Sequence, residues 1–366
     1  MNSELLYQLA LTLIPNIGDV QARQLIQHFG NASDVFKATK SSIEKIEGIG
    51  SLKARNIKDF NDFAQAEKEI EFIEKYKINA LFLTDKHYPQ RLLNCYDAPP
   101  LLFYKGAADL NASRTLAVVG TRSNTDAGKQ FTENLIKELA PHNITIISGL
   151  AYGIDAVAHK AALKYKLPTI GVVGHGLDKI YPADHATLAR EMVKENGGML
   201  SEFFSGTKPD KHNFPLRNRI VAGISDATIV VETHVKGGSM ITAKLADAYN
   251  RDVFAVPGRP SDIKSGGCNY LIQHNKAILL TEAGGLLEAM GWTDKKAKPK
   301  RQKELFIELT DNEKIVMDLL QKKETVHIDD LNLSGNISSS AIAAALLNLE
   351  LQNAIVSMPG KMYKLS

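Results

Sequence analysis

Cysteine is nearly missing from this chain of 366 residues: only Cys95 and Cys268 occur, far apart and outside any CxxC pair. That excludes a disulfide framework and a thiolate metal site, and makes a reducing compartment, the cytoplasm, the expected location. No apolar run reaches the ~18 residues that a membrane-spanning helix needs. The opening stretch MNSELLYQLALTLIPNIGD has no basic residue and carries Glu4, so no cleaved signal peptide is expected. Charge of one sign is also lacking. The 44 Lys/Arg against 41 Asp/Glu leave a net +3 and a pI near 8.6, too mild to identify a nucleic-acid partner alone. Catalytic signatures are missing too: there is no HExxH, no GxSxG and no cysteine-nucleophile pattern. No GxGxxG follows a strand, which leaves a nicotinamide or flavin cofactor unsupported. Gly120 and Gly128-Lys129 resemble a P-loop only superficially. Seven residues separate the glycines instead of four, and Gln130 stands where a hydroxyl should reach magnesium.

What is present is an ordinary globular composition, 44% hydrophobic and 23% charged, enough for two or three folding units at ~150 residues each. Residues 1–80 hold 10 basic and 11 acidic side chains and look helical. They contain an internal echo: IPNIGDVQAR recurs 32 residues later as IEGIGSLKAR, the pattern of a tandem helix-hairpin-helix pair. A glycine turn opening a helix can hold a phosphate, or can simply let two helices pack closely. Residues 292–304 carry 6 basic and 2 acidic side chains and read as a solvated basic linker. Residues 305–366, net −3, show a helix at 310–322, a helix-turn-helix ending in a helix at 338–352, and a two-stranded ribbon. That is the winged-helix order. The presumed recognition helix SSSAIAAALLNLELQ has no Lys or Arg, which favours a protein-interaction module over a DNA reader.

Between these units, residues 81–291 alternate short apolar runs with amphipathic segments. LAVV (116–119), TIISG (145–149), TIGVVG (169–174), ATIVVE (227–232), VFAVPG (253–258) and AILLT (277–281) read as buried strands; 127–140, 154–165 and 239–250 read as helices. The alternation predicts an α/β fold with a Rossmann-like doubly wound, mostly parallel sheet. Residues 81–106 form a lead-in of strands and turns on the sheet edge. Ligands of such sheets bind beyond the carboxyl ends of the strands. Four segments there have the form of anion sites: Gly120-Thr121-Arg122-Ser123, SGLAYGIDAVAHK (148–160), the loop HNFPLRNRIVAG (212–223), and Lys236-Gly237-Gly238-Ser239. Glycine lets backbone approach a ligand, the following helix offers free amides and its positive dipole end, and Arg122, Lys160, Arg217 and Arg219 add charge. Asp155 and His159, at i and i+4, read as a helix-capping Asp and a hydrogen-bonded His rather than an acid–base pair.

The motifs VVGTRSNTDAGKQF, ISGLAYGIDAVAHKAAL, GHGLDKIYPADHATL, LSEFF, HNFPLRNRIVAGISDATIVVE, GGSMITAKLADAYNRDVFAVPG and GGCNYLI, in that order over residues 80–290, resemble the DprA/Smf (DNA-processing protein A) family. The resemblance implies a cytoplasmic single-stranded DNA-binding protein that shields incoming strands and loads the RecA recombinase during natural transformation. It further implies a homodimer joined through the Rossmann-like domain, with no cofactor, no metal and no catalytic turnover. Matched motif by motif, Gly120, Thr121 and Arg122 would form the phosphate-holding turn, and Gly149, Gly153 and Lys160 the second loop. Phe214, Arg217, Asn218 and Arg219 would line the third loop, and Gly238, Ser239 and Thr242 the last. Here Gly237-Gly238-Ser239 replaces the family's usual Ser-Gly-Ser or Ser-Gly-Thr, which loses one side-chain donor.

Bases need flat surfaces, and Tyr152, Phe204, His212 and Phe214 lie in or near these loops. Phe204 and Phe214 fit core packing equally well. Four neutralised phosphates would give a log K against log salt slope of about −2.8. Two other function classes remain. A phosphoribohydrolase of the LOG type uses PGGxGTxxE, but the alignment puts Met240, Ile241 and Lys244 where Gly, Thr and the catalytic Glu belong. A pure interaction scaffold would rely on residues 305–366.

Overall fold

The computed structural model describes residues 3–293 and 309–365, apart from 324, 336, 353, 359 and 360. The basic linker expected at 292–304 lies, from residue 294 on, outside the described residues. The chain divides into two compact units, Met1–Thr293 and Asp294–Ser366.

The first unit opens with six helices: α1 (Ser3–Leu13), α2 (Asp19–Phe29), α3 (Ala32–Lys37), α4 (Lys40–Glu44), α5 (Ser51–Asp59) and α6 (Ala64–Tyr76). The repeated IG dipeptides do what their pattern predicts. Gly18 and Gly50 are the N-caps of α2 and α5, and Ile17 and Ile49 are buried beneath the turns. The core of this helical part does not stop at residue 80. Ile70 and Ile73 share one cluster with Phe82, Leu101 and Phe103, so the helices and the sheet edge fold as one body.

Nine strands follow: β1 (Asn79–Phe82), β2 (Leu101–Gly106), β3 (Thr115–Val119), β4 (Thr145–Ser148), β5 (Thr169–Val172), β6 (Gly198–Ser201), β7 (Ala227–Val230), β8 (Asp252–Ala255) and β9 (Ile278–Leu279). Their order is β1-β2-β6-β5-β4-β3-β7-β8-β9. From β6 to β9 every pairing is parallel, while β1 and β2 are antiparallel edge strands, as the lead-in segment predicts. The central strands are apolar on both faces because both faces are covered. Leu116 and Val118 face one cluster while Ala117 and Val119 face the other, and Phe254 alternates with Val253 and Ala255 in the same way. Each such fully buried Leu, Val or Phe contributes about 1.5–3 kcal/mol.

One strand expectation differs from what forms, and one strand was not expected. β9 keeps only two residues, and Ile278 and Leu279 are about half exposed, because β9 is the sheet's last strand. β6 was not recognisable from GGMLS, since its glycines carry no strand preference; the close approach of Tyr104 and Thr169 to Gly197 and Gly198 explains why small residues stand there.

Crossover helices α8 (Asp126–Leu139), α9 (Ile154–Lys164), α11 (Asn213–Gly223) and α12 (Gly238–Ala248) lead from the strand ends into the two layers, with α7 (Gln90–Leu93), α10 (Ala186–Lys194), α13 (Gly266–Gln273) and α14 (Ala283–Ala289) completing them. The segment 212–223, expected as a loop, is the helix α11; Pro215 sits in its first turn, where its missing amide costs nothing.

The second unit has α15 (Asp311–Gln321), β10 (Val326–His327), α16 (Ile328–Ser334), α17 (Ser339–Leu351), β11 (Ile355–Met358) and β12 (Met362–Leu365). A capping box of Thr310 and Glu313 opens α15, and Val316, Leu320, Leu331, Ile342, Leu346 and Leu349 form the core. This is the winged helix that the element order predicts.

Candidate nucleic-acid interface

β3 pairs with β4 on one side and β7 on the other, so the chain reverses its winding direction there. At that switch point the loops after β3 and β7 diverge to opposite faces and leave a crevice. A cleft of about 460 Å³ occupies it, lined by residues that follow β3, β4 and β7 and by the starts of α11 and α12.

The turn after β3 is held open by its neighbours. The Thr121 amide donates to the Glu232 carbonyl at 2.7 Å, and the Ile154 amide donates to the Thr121 carbonyl at 3.2 Å. Gly153, at φ +78°, leans so closely on Thr121 and Arg122 that a Cβ would collide with their backbone. Lys264 donates to the Ser123 carbonyl at 2.6 Å. Arg122 therefore stands exposed on a fixed turn, and its guanidinium lies 5.6 Å from the centre of the Phe214 ring.

The floor is different in kind. Arg217 is 6% exposed and donates to the Val172 carbonyl at 2.8 Å, while its Nε has no partner. Burial lowers its pKa, opposed by the charge of Asp155. Asp155 is itself buried, which raises its pKa against the pull of Arg217. The two charges offset each other beneath the cleft. A Cβ at Gly149 would overlap both side chains, so glycine is what admits the pair. On the far wall α12 presents its first turn, where the Met240 amide donates to the Gly237 carbonyl at 3.1 Å and the amides of Gly238 and Ser239 precede any carbonyl of the helix they could bond. The buried Ser239 hydroxyl lines the cleft without a partner.

Of the residues expected from sequence, Gly120, Thr121, Arg122, Gly149, Phe214, Arg217, Asn218, Gly238, Ser239 and Thr242 all line this cleft. Tyr152 lines a smaller pocket beside it. Four do not arrive. Lys160 is exposed one turn further along α9, Gly153 supports the β3 turn from behind, and His212 points to solvent before α11 begins.

Arg219 is the largest departure. In a helix, two residues apart means about 200° of rotation, so Arg217 and Arg219 face opposite ways. Arg219 is buried against Glu202 and the Asp97 carbonyl, with Asp19 at 3.0 Å. It clamps α2 to the sheet and is spent. Burial pushes the Glu202 carboxyl up to about 7 although Arg219 pulls it down. The first hairpin, whose helix begins at Asp19, is thus a docking contact. Phe204 also goes to packing, edge-on to Phe103 at 5.5 Å.

Glu232 and His159 are both engaged within the protein. Glu232 accepts from the Thr125 amide at 2.9 Å and from the Thr125 hydroxyl, anchoring the start of α8. His159 is fully buried between Thr169 Oγ1 at 2.7 Å and the Gly149 carbonyl at 2.5 Å, and burial lowers its pKa to about 4. Sequence reading missed Lys211, which lines the cleft, although it adjoins the HNFP motif.

A model of the family described as DNA recombination-mediator protein A matches residues 79–291. The chain belongs to the DprA/Smf family. The DprA winged helix domain matches residues 299–361, and a helix-hairpin-helix motif matches residues 6–70. Protein Smf of Synechocystis is 38% identical over 301 residues, 79% of this chain and 73% of its own. DNA processing protein DprA of Bacillus subtilis is 44% identical over 207 residues, 56% of this chain and 69% of its own. The crystal structure of DprA from Streptococcus pneumoniae superposes with a TM-score of 0.67 at 34% identity, covering 79% of this chain and 98% of that one. A Helicobacter pylori DprA structure, described for its single-stranded DNA binding mode, gives a TM-score of 0.53 at 31% identity, covering 59% and 96%. Among the described residues no helix is long and apolar enough to cross a membrane.

Proposed function

We propose that this DprA-family chain binds single-stranded DNA in the switch-point cleft, shields incoming strands, and delivers them to a RecA-type recombinase without breaking a bond. The observation that carries the binding reading is the cleft's layering. An exposed cation and an aromatic ring, Arg122 over Phe214, stand at its mouth, and helix-start amides and buried Arg217 lie behind them. Phosphates suit the amides and Arg122; bases suit the ring. That a Helicobacter pylori relative of the same fold is described with single-stranded DNA supports the same ligand class.

The non-catalytic reading rests on the carboxylates: Glu232 is engaged by Thr125, and Asp155 is matched to Arg217 beneath the surface. A homodimer through the Rossmann-like domain is supported by the β9 edge, where Ile278 and Leu279 are left about half exposed. The winged helix enters as a protein-contact unit, since α17 carries no Lys or Arg.

Fluorescence anisotropy of labelled oligo-dT against its duplex, across a salt series, tests the central claim. Preference for the single strand is expected; equal binding of both would overturn it.

A further inference from the structure

The aromatic surface does not end at Phe214. Tyr181, from the YPADH segment after β5, lies 5.9 Å from the Phe214 ring at an interplanar angle of 31°. Tyr152, from the loop after β4, stands across the small pocket that both tyrosines line together with Arg122 and Phe214. Tyr181 is 47% exposed and Tyr152 45%, whereas a ring used for packing is covered, as Tyr88 is. Both tyrosines are nevertheless held. The Tyr152 hydroxyl donates to Asp184 at 2.6 Å and its ring meets His185 at 5.0 Å. The Tyr181 backbone amide donates to His175 Nε2 at 3.3 Å. Open yet fixed rings lose little entropy on stacking with a ligand.

We infer that Tyr181, with Tyr152 facing it, forms a second base platform, so that Arg122, Phe214 and Tyr181 make one stacking track leading out of the cleft along the carboxyl ends of β4 and β5. The inference rests on the single-strand reading above and deepens it. It fixes the direction in which the strand leaves the cleft, toward β5 and away from β8. It also supplies a reason for excluding duplex, whose paired bases cannot splay onto separate rings.

The test uses the full chain with labelled oligo-dT of graded length. Tyr181→Ala should weaken binding of the longer oligonucleotides by about tenfold, while the shortest that still binds is unaffected. Tyr181→Phe, which keeps the ring, should bind as the unaltered chain does. In Tyr181→Trp, the new indole should be quenched on binding, while the native Trp292, 8% exposed, should respond little. If Tyr181→Ala binds every length normally and the Tyr181→Trp signal is flat while Arg122→Ala weakens binding, the track is wrong and the cleft reading stands. If the unaltered chain binds no oligonucleotide, both fall together.

Discussion

Replacing Arg122 by alanine tests the electrostatics of the cleft most directly. Counting cations along the motifs gives four phosphate partners and a salt slope of about −2.8. The structure removes two and neutralises a third. Arg219 is committed to Glu202 and Asp19, Lys160 lies outside the cleft, and Arg217 shares its burial with Asp155. Among the described residues, the exposed cations that line the cleft are Arg122 and Lys211. Two neutralised phosphates give a slope of about −1.4, and Arg122→Ala should reduce it to about −0.7. Affinity should fall as well, by more than the charge alone accounts for, because the guanidinium also braces the Phe214 ring. Anisotropy titrations with oligo-dT from low to moderate salt read both quantities. A slope near −2.8 in the unaltered chain would refute the withdrawal of Arg219 and Lys160. An unchanged slope in the variant would refute contact between Arg122 and phosphate.

Arg219→Ala should destabilise the first unit by about 3 kcal/mol in chemical denaturation, since it strands the largely covered Glu202 carboxylate, yet leave the oligonucleotide affinity of the folded protein intact. A loss of affinity in well-folded variant protein would return Arg219 to the site. Gly153→Ala should cost about 1–3 kcal/mol and weaken binding, because a Cβ at φ +78° pushes into the turn that carries Arg122; a variant with normal melting and normal affinity would show that the turn is not supported from Gly153. Burial lowers the His159 pKa to about 4 from 6.5, so the folded state binds fewer protons and stability is lost as pH falls below about 6.5 toward 4. At pH 5 the loss should be roughly 2 kcal/mol. Denaturation at pH 7 and pH 5 should show it in the unaltered chain and not in His159→Gln; the same pH dependence in both would exclude His159 as its source.

The order of elements was open to sequence reading because it rests on short-range periodicity. Runs such as LAVV and ATIVVE are apolar at every position since both faces of a parallel sheet are covered, and the helices between them alternate as crossovers must. The glycine turns were readable for the same reason: Gly120-Thr121-Arg122 follows an apolar strand and Gly237-Gly238-Ser239 opens a helix, and it is their recurrence around one sheet edge, not any single turn, that points to a ligand. β6 and α11 were less legible. GGMLS has little strand propensity and is held by its neighbours in the sheet, and HNFPLRNRIVAG hides its helix behind Pro215 and a mixed surface.

Three kinds of structure along the chain, the doubly wound sheet, and the glycine turns that line its switch point can be read residue by residue, because each depends on neighbours close together in the chain. Which charges remain for a ligand emerges when the layers fold against one another. Whether an arginine faces the cleft or a carboxylate depends on helix rotation and on partners far along the chain: Arg219 meets Asp19, 200 positions away, while Arg122 stands exposed beside Phe214 at the cleft. Motif spacing cannot report such encounters, since they are settled when the layers pack.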